Sequence, residues 1–199
     1  MRNLEFMLFA AVVVPLVAIA QGGAAPAAPQ RAGATAMVKL QTAKGEPAGQ
    51  AVLTAVPDGV EIVLNVEKLT PGLHGFHIHT NGSCAPGPDP SGKTIDFGAA
   101  GGHFDPAATA RHGHPEHDAQ RHAGDAPNLT ADAQGKATLR YTNTMVTLVP
   151  GKTSVIGKAL VVHADADDYK TNPAGNSGAR VLCGVIEPAR DAVVGSVAR

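Results

Sequence analysis

Val60-Glu61-Ile62-Val63-Leu64-Asn65-Val66-Glu67 decides the fold class. Val60, Ile62, Leu64 and Val66 fall two apart, while Glu61, Asn65 and Glu67 take the alternate positions. Successive side chains on a strand point to opposite faces, so this spacing describes a strand with one buried and one wet face. Pro57-Asp58-Gly59 just before it is turn chemistry. Working outward, Val38 to Gln41, Ala51 to Val56, Ala137 to Thr142, Ser154 to His163 and Ala179 to Ile186 read as further strands bounded by turn signals. The 23 glycines and 15 prolines fit a chain of many turns rather than long helices. The class is all-β. The stretch from Thr80 to Gly135 has no sustained period and carries most of the histidines; a loop of that length inside a compact domain usually has a function.

The chain has 199 residues, 44% hydrophobic and 17% charged, enough for one domain with a full core. A formal net charge of -1 offers no basic field for a polyphosphate backbone and speaks against a nucleic-acid partner. Residues 1–20 read as a secretory signal peptide: Arg2 is the positive flank, Phe6 to Val17 is apolar, and Ala18-Ile19-Ala20 is a small-x-small cleavage site. A retained anchor is the alternative, but the apolar run is short and no basic stop-transfer flank follows, so no membrane association is expected after cleavage. Residues 21–36, mostly Gly, Ala, Pro and Gln, read as a flexible leader, residues 37–190 as the folded domain and residues 191–199 as a C-terminal tail. Cys84 and Cys183 suit one disulfide in an exported chain. Asn128-Leu129-Thr130 matches a glycosylation acceptor, which matters only on a eukaryotic secretion route.

All nine histidines lie between His74 and His163. His77 and His79 are two apart on a strand and can grip one ion, while Phe76 and Ile78 face the other way. His103 follows Gly101-Gly102, where missing side chains let the backbone come close to a site. His112, His122 and Asp125 come next, and three imidazoles with a carboxylate suit tetrahedral zinc. His163 ends the apolar run Ala159 to Val162.

From about Val38 to Pro188 the chain resembles the copper/zinc superoxide dismutases. The resemblance is carried in order by Gly72-Leu-His-Gly-Phe-His-Ile-His79, Gly-Gly-His-Phe-Asp-Pro106, Arg-His-Ala-Gly-Asp125, Val-Val-His-Ala-Asp-Ala-Asp-Asp168 and Gly-Asn-Ser-Gly-Ala-Arg-Val-Leu-Cys-Gly184. It implies a Greek-key β-barrel or sandwich of about eight antiparallel strands with long metal-binding loops, holding one copper and one zinc ion. It implies copper on His77, His79, His103 and His163, and zinc on His103, His112, His122 and Asp125, with His103 bridging. Four nitrogen donors favour copper and a His/Asp set favours zinc, in agreement. The resemblance implies that Asp167 hydrogen-bonds one ligand of each metal, that His74 is structural, and that Arg180 attracts and positions superoxide. It also implies that His103 carries a proton to the departing peroxide.

Some positions depart from the family pattern. His114 and His117 compete with His112 for the zinc position; Pro115 three residues after His112 favours His112. The insert from Ala85 to Asp96 resembles bacterial exported members, hence a periplasmic, secreted or cell-surface enzyme. Lys93 and Lys170 are candidate steering charges, and the resemblance leaves monomer and homodimer both open. A copper carrier on the same fold is the alternative function, but the chain has no methionine cluster for Cu(I).

Overall fold

The computed structural model describes residues 33–189. Its strands are β1 (Thr35–Thr42), β2 (Pro47–Val56), β3 (Gly59–Val66), β4 (Gly72–His74), β5 (Phe76–His79), β6 (Gly87–Pro88), β7 (Thr94–Ile95), β8 (Leu129–Ala131), β9 (Ala137–Asn143), β10 (Ala159–His163), β11 (Arg180–Val185) and β12 (Glu187–Pro188). Eight of them build one curled sheet in the order β5-β10-β11-β1-β2-β3-β9, with β12 also pairing β1. Every pairing between these strands is antiparallel, and β11 returns across most of the domain to lie beside β1. The signal segment, most of the leader and the tail lie outside the described residues. Thr35 and Ala36, at the end of the expected leader, are already in β1.

The alternation read in β3 is the one the sheet uses. Val60, Ile62, Leu64 and Val66 are buried, and Glu61 and Asn65 are not. They join Val38, Leu40, Leu53, Phe76, Ile78, Leu160, Val162 and Leu182 in one core. Burying each such side chain is worth about 1.5–3 kcal/mol. The expected strand from Ser154 starts only at Ala159. Lys158 N–H turns back to Val155 O, and Gly157 sits at φ +75° in left-handed backbone that breaks an extended run.

β5 and β10 are buried on both faces, and this double burial positions the site. Phe76, Ile78, Leu160 and Val162 fill the core side, which leaves His77, His79, Ala159, Val161 and His163 on the opposite side. The register pairs His79 with Ala159 and His77 with Val161, so His163 follows one step along the same face. The long loop closes over that face and is stitched to β5 by backbone. Phe104 N–H donates to Ile78 O, Ile78 N–H to Gly124 O and Gly124 N–H to Phe104 O. Cys84 and Cys183 form a disulfide that ties the start of this loop to β11. Phe97, Ala100, Ala159 and Val161 pack around Cys183 as a second, smaller apolar cluster beneath it. Among the described residues no helix is long and apolar enough to cross a membrane.

Candidate metal centre

His77, His79, His103 and His163 bring one donor atom each to within 4.8 Å of one another. What the second ring nitrogens do decides which atoms face the shared space. His77 Nε2–H donates to Asp167 Oδ2 at 2.7 Å, His79 Nδ1–H to Gly101 O at 2.8 Å and His163 Nδ1–H to Gly178 O at 3.2 Å. His103 Nδ1–H donates to Asp125 Oδ1 at 2.8 Å. A neutral imidazole has one N–H and one lone pair, so the lone pairs left over are on His77 Nδ1, His79 Nε2, His103 Nε2 and His163 Nε2. His77 Nδ1 and His103 Nε2 are buried with no hydrogen-bond partner among the described residues, and the Nε2 atoms of His79 and His163 face each other at 3.4 Å. Facing lone pairs and orphaned buried nitrogens are what a four-nitrogen cation site looks like from the protein side.

Electrostatics agree. Burial pushes His77, His79 and His103 down from the ordinary histidine range, and it takes His163 down to about 3. These rings are therefore held in the neutral form that binds metal.

The second group, His103, His112, His122 and Asp125, shares His103 with the first. The Nδ1–H groups of its three histidines converge on the single oxygen Asp125 Oδ1, at 2.8, 3.1 and 3.2 Å. Burial raises the Asp125 carboxyl, but the hydrogen bonds from His103, His112 and His122 outweigh it and hold the group far below the carboxylate range. Burial lowers His112, yet hydrogen bonds to Asp125 and Asp167 prevail and raise it to about 9. An anionic carboxylate with three imidazoles aimed at one point matches the donor set of tetrahedral zinc.

Asp167 joins the two groups. Its Oδ1 accepts from His112 Nε2 at 2.8 Å and its Oδ2 from His77 Nε2 at 2.7 Å, so one buried carboxylate orients a ring of each group. A Cβ on Gly175, at φ +61°, would overlap both Asp167 Oδ1 and His112 Nε2, so only glycine lets the chain pass this contact. His74 donates to His163 O and approaches Thr70 O, each at 2.7 Å, and belongs to neither group. His114 and His117 lie apart from the His112 group, stacked on each other with ring centres 4.5 Å apart.

A channel lined by His79, Gly101, Gly102, His103, His163 and Arg180 reaches the first group, and none of His112, His122 or Asp125 lines it. Arg180 stands at its mouth. Its Nη1–H donates to Phe97 O and its Nη2–H to Gly101 O, so carbonyls fix the guanidinium and its charge stays available. Lys93 lines a neighbouring pocket that shares Arg180 and His163 with this channel, whereas Lys170 lines neither.

Three contacts support these groups, and of them only the close backbone approach at Gly101-Gly102 is legible in the sequence. Gly101 O orients both His79 and Arg180. Asn128 clamps the Asp167 backbone from both sides, donating to its carbonyl at 2.9 Å and accepting from its N–H at 2.8 Å. That use of the amide opposes the glycan-acceptor reading. Asn172 Oδ1 accepts from His112 N–H at 2.6 Å. For Asn128 and Asn172 the residue type is the signal the sequence offers, and asparagines in loops are too common for it to be specific.

Known proteins are similar to this chain. The family model described as copper/zinc superoxide dismutase (SODC) matches residues 47–186. The Cu-Zn superoxide dismutase of Deinococcus radiodurans is 44% identical over 88% of this chain and 95% of its own. The Cu-Zn superoxide dismutase of Brucella abortus is 45% identical over 74% of this chain and 83% of its own. The solved structure of Cu/Zn superoxide dismutase from Brucella abortus superposes with a TM-score of 0.67 over 77% of this chain and 99% of that one. With a matching model over most of its length and relatives of this similarity, the chain belongs to the copper/zinc superoxide dismutase family.

Proposed function

We propose that the protein dismutes superoxide to oxygen and hydrogen peroxide, with one copper ion held by His77, His79, His103 and His163 and one zinc ion by His103, His112, His122 and Asp125. The observation that carries this is the shared ring of His103, whose Nδ1 belongs to the His/Asp group and whose orphaned Nε2 belongs to the four-nitrogen group. The chemistry that bound copper supplies is one-electron exchange with superoxide, in one direction and then the other, so two superoxide anions and two protons give one oxygen and one hydrogen peroxide.

The residues supply the rest. Arg180, held by two carbonyls at the channel mouth, attracts the anion and orients it toward His163 and His103. Lys93 extends the positive field outward. His103 lines the channel, and its Nε2 can take a proton and pass it to the departing peroxide, while Asp125 keeps its Nδ1 side fixed. Asp167 holds the ring planes of His77 and His112. The Cys84–Cys183 disulfide and the signal-like first twenty residues support an extracytoplasmic enzyme, periplasmic or at the cell surface.

The ligand partition is tested by elemental analysis of His163→Ala and Asp125→Ala. The first is expected to lose copper and keep zinc, and the second to lose zinc first. Equal loss of both metals from both variants would overturn the partition.

A further inference from the structure

Six of the nine histidines supply the two inner donor groups and His74 is tied to backbone carbonyls, which leaves His114 and His117. We propose that His114, Glu116 and His117 form a third metal site, an exposed and exchangeable one for a borderline divalent ion such as zinc or copper(II), on the outer side of the loop that carries His112 and His122.

The local chain builds the site. His114 O accepts from His117 N–H at 3.3 Å and from Asp118 N–H at 3.0 Å, a single helical turn with Pro115 at its first position. Residues three apart on such a turn share one side, which brings the two imidazoles together. Their rings lie nearly parallel, 16° apart, with centres at 4.5 Å. Tyr169 packs edge-to-face against the His114 ring with centres 4.4 Å apart, which steadies the ring, and the hydrogen bond from Glu116 N–H to His114 Nδ1 at 3.1 Å is given up when that ring turns its lone pair to an ion. One donor atom from each of His114, Glu116 and His117 then falls within 4.8 Å of the others. Among the described residues, neither His114, Glu116 nor His117 makes an ion pair.

The donor chemistry chooses the ion. Two imidazoles and one carboxylate, with water in the remaining position, are a zinc-type set. All-oxygen preferences disfavour calcium and magnesium, and the lack of thiolate or thioether disfavours Cu(I). Zinc–nitrogen bonds of about 2.0–2.1 Å require donors closer than the present spread, so the side chains must tighten around the ion. Glu116 and His117 are exposed and free to do so, at a cost in side-chain entropy. The site is therefore weaker than the buried groups and loads after them.

The test uses untagged protein carrying its copper and zinc, dialysed against micromolar free zinc and then analysed for both metals. The parent is expected to hold about one zinc more than the His114→Ala/His117→Ala double variant, as the donor set implies, with the same copper content and the same inner zinc in both. Equal zinc in parent and variant would overturn the proposal. So would loss of the inner zinc from the variant, because His114 or His117 would then belong to the buried group.

Discussion

Replacing Asp167 by alanine separates a carboxylate that merely fills space from one that sets the metal ligands. The side chain is buried and accepts from His77 Nε2 at 2.7 Å and from His112 Nε2 at 2.8 Å. A hydrogen bond to a charged group is worth about 1.5–3 kcal/mol, and each 1.4 kcal/mol or so is tenfold in affinity. One such bond therefore corresponds to roughly 10- to 100-fold, the range found for residues that orient metal-bound histidines. The two rings do not suffer alike. His77 sits in β5, paired with Val161 of β10 and fully buried, so the sheet holds its ring direction after the carboxylate is gone. His112 sits in the aperiodic loop, and among the described residues its ring is held by hydrogen bonds to Asp125 and Asp167 alone. Asp167→Ala is thus expected to weaken zinc by about 10- to 100-fold and copper by clearly less. Competition with a chromophoric chelator at fixed pH measures both constants. Unchanged zinc affinity, or a larger loss for copper than for zinc, would refute the reasoning.

Arg180→Glu should lower the second-order rate of superoxide decay strongly at every ionic strength with copper content intact. Lys93→Glu should act mainly at low salt, because a more distant charge is screened over about 8 Å under physiological conditions; stopped-flow or pulse decay against salt measures both. Cys84→Ser should destabilise the protein, since the disulfide closes a 99-residue separation, for which chain entropy gives about 4–5 kcal/mol as an upper guide; equal denaturation midpoints for parent and variant would contradict this. Hydrogen bonds from the Thr171 hydroxyl, then the Thr171 and Lys170 N–H groups, depress Asp168 from 3.8 to about 2. A folded-state value below the unfolded one means stability present above about pH 3.9 and lost as pH falls towards 2. The difference in thermal midpoint between the metal-free parent and Asp168→Asn should therefore shrink across that interval, and a constant difference would remove Asp168 from the acid response.

The features legible in the sequence were those with a period or a spacing. Alternation in β3 survives into the structure because one face of that strand is buried and the other is not. His77 and His79 were readable as one gripping face for the same reason, and Phe76 and Ile78 do face the core. β10 was read too long because an apolar run carries no mark of where extended backbone gives way to the turn at Val155–Lys158. In the loop between β5 and β8, residue types named the donors, but no local pattern places His103 against His77, with ring centres 3.9 Å apart. That contact depends on backbone stitching to β5 and on a disulfide to β11. The choice of His112 over His114 and His117 likewise rests on Asp167, which lies 55 residues away in the chain.

The central claim is that the four-nitrogen group makes this chain a superoxide dismutase, and decay of pulse-generated superoxide tests it most directly. Protein loaded with copper and zinc should remove superoxide catalytically, at a rate proportional to its copper content, while protein loaded with zinc alone and copper-exposed His163→Ala should leave the spontaneous decay unchanged. Copper-replete parent protein that does not accelerate the decay, or a zinc-only form that accelerates it equally, would contradict the account.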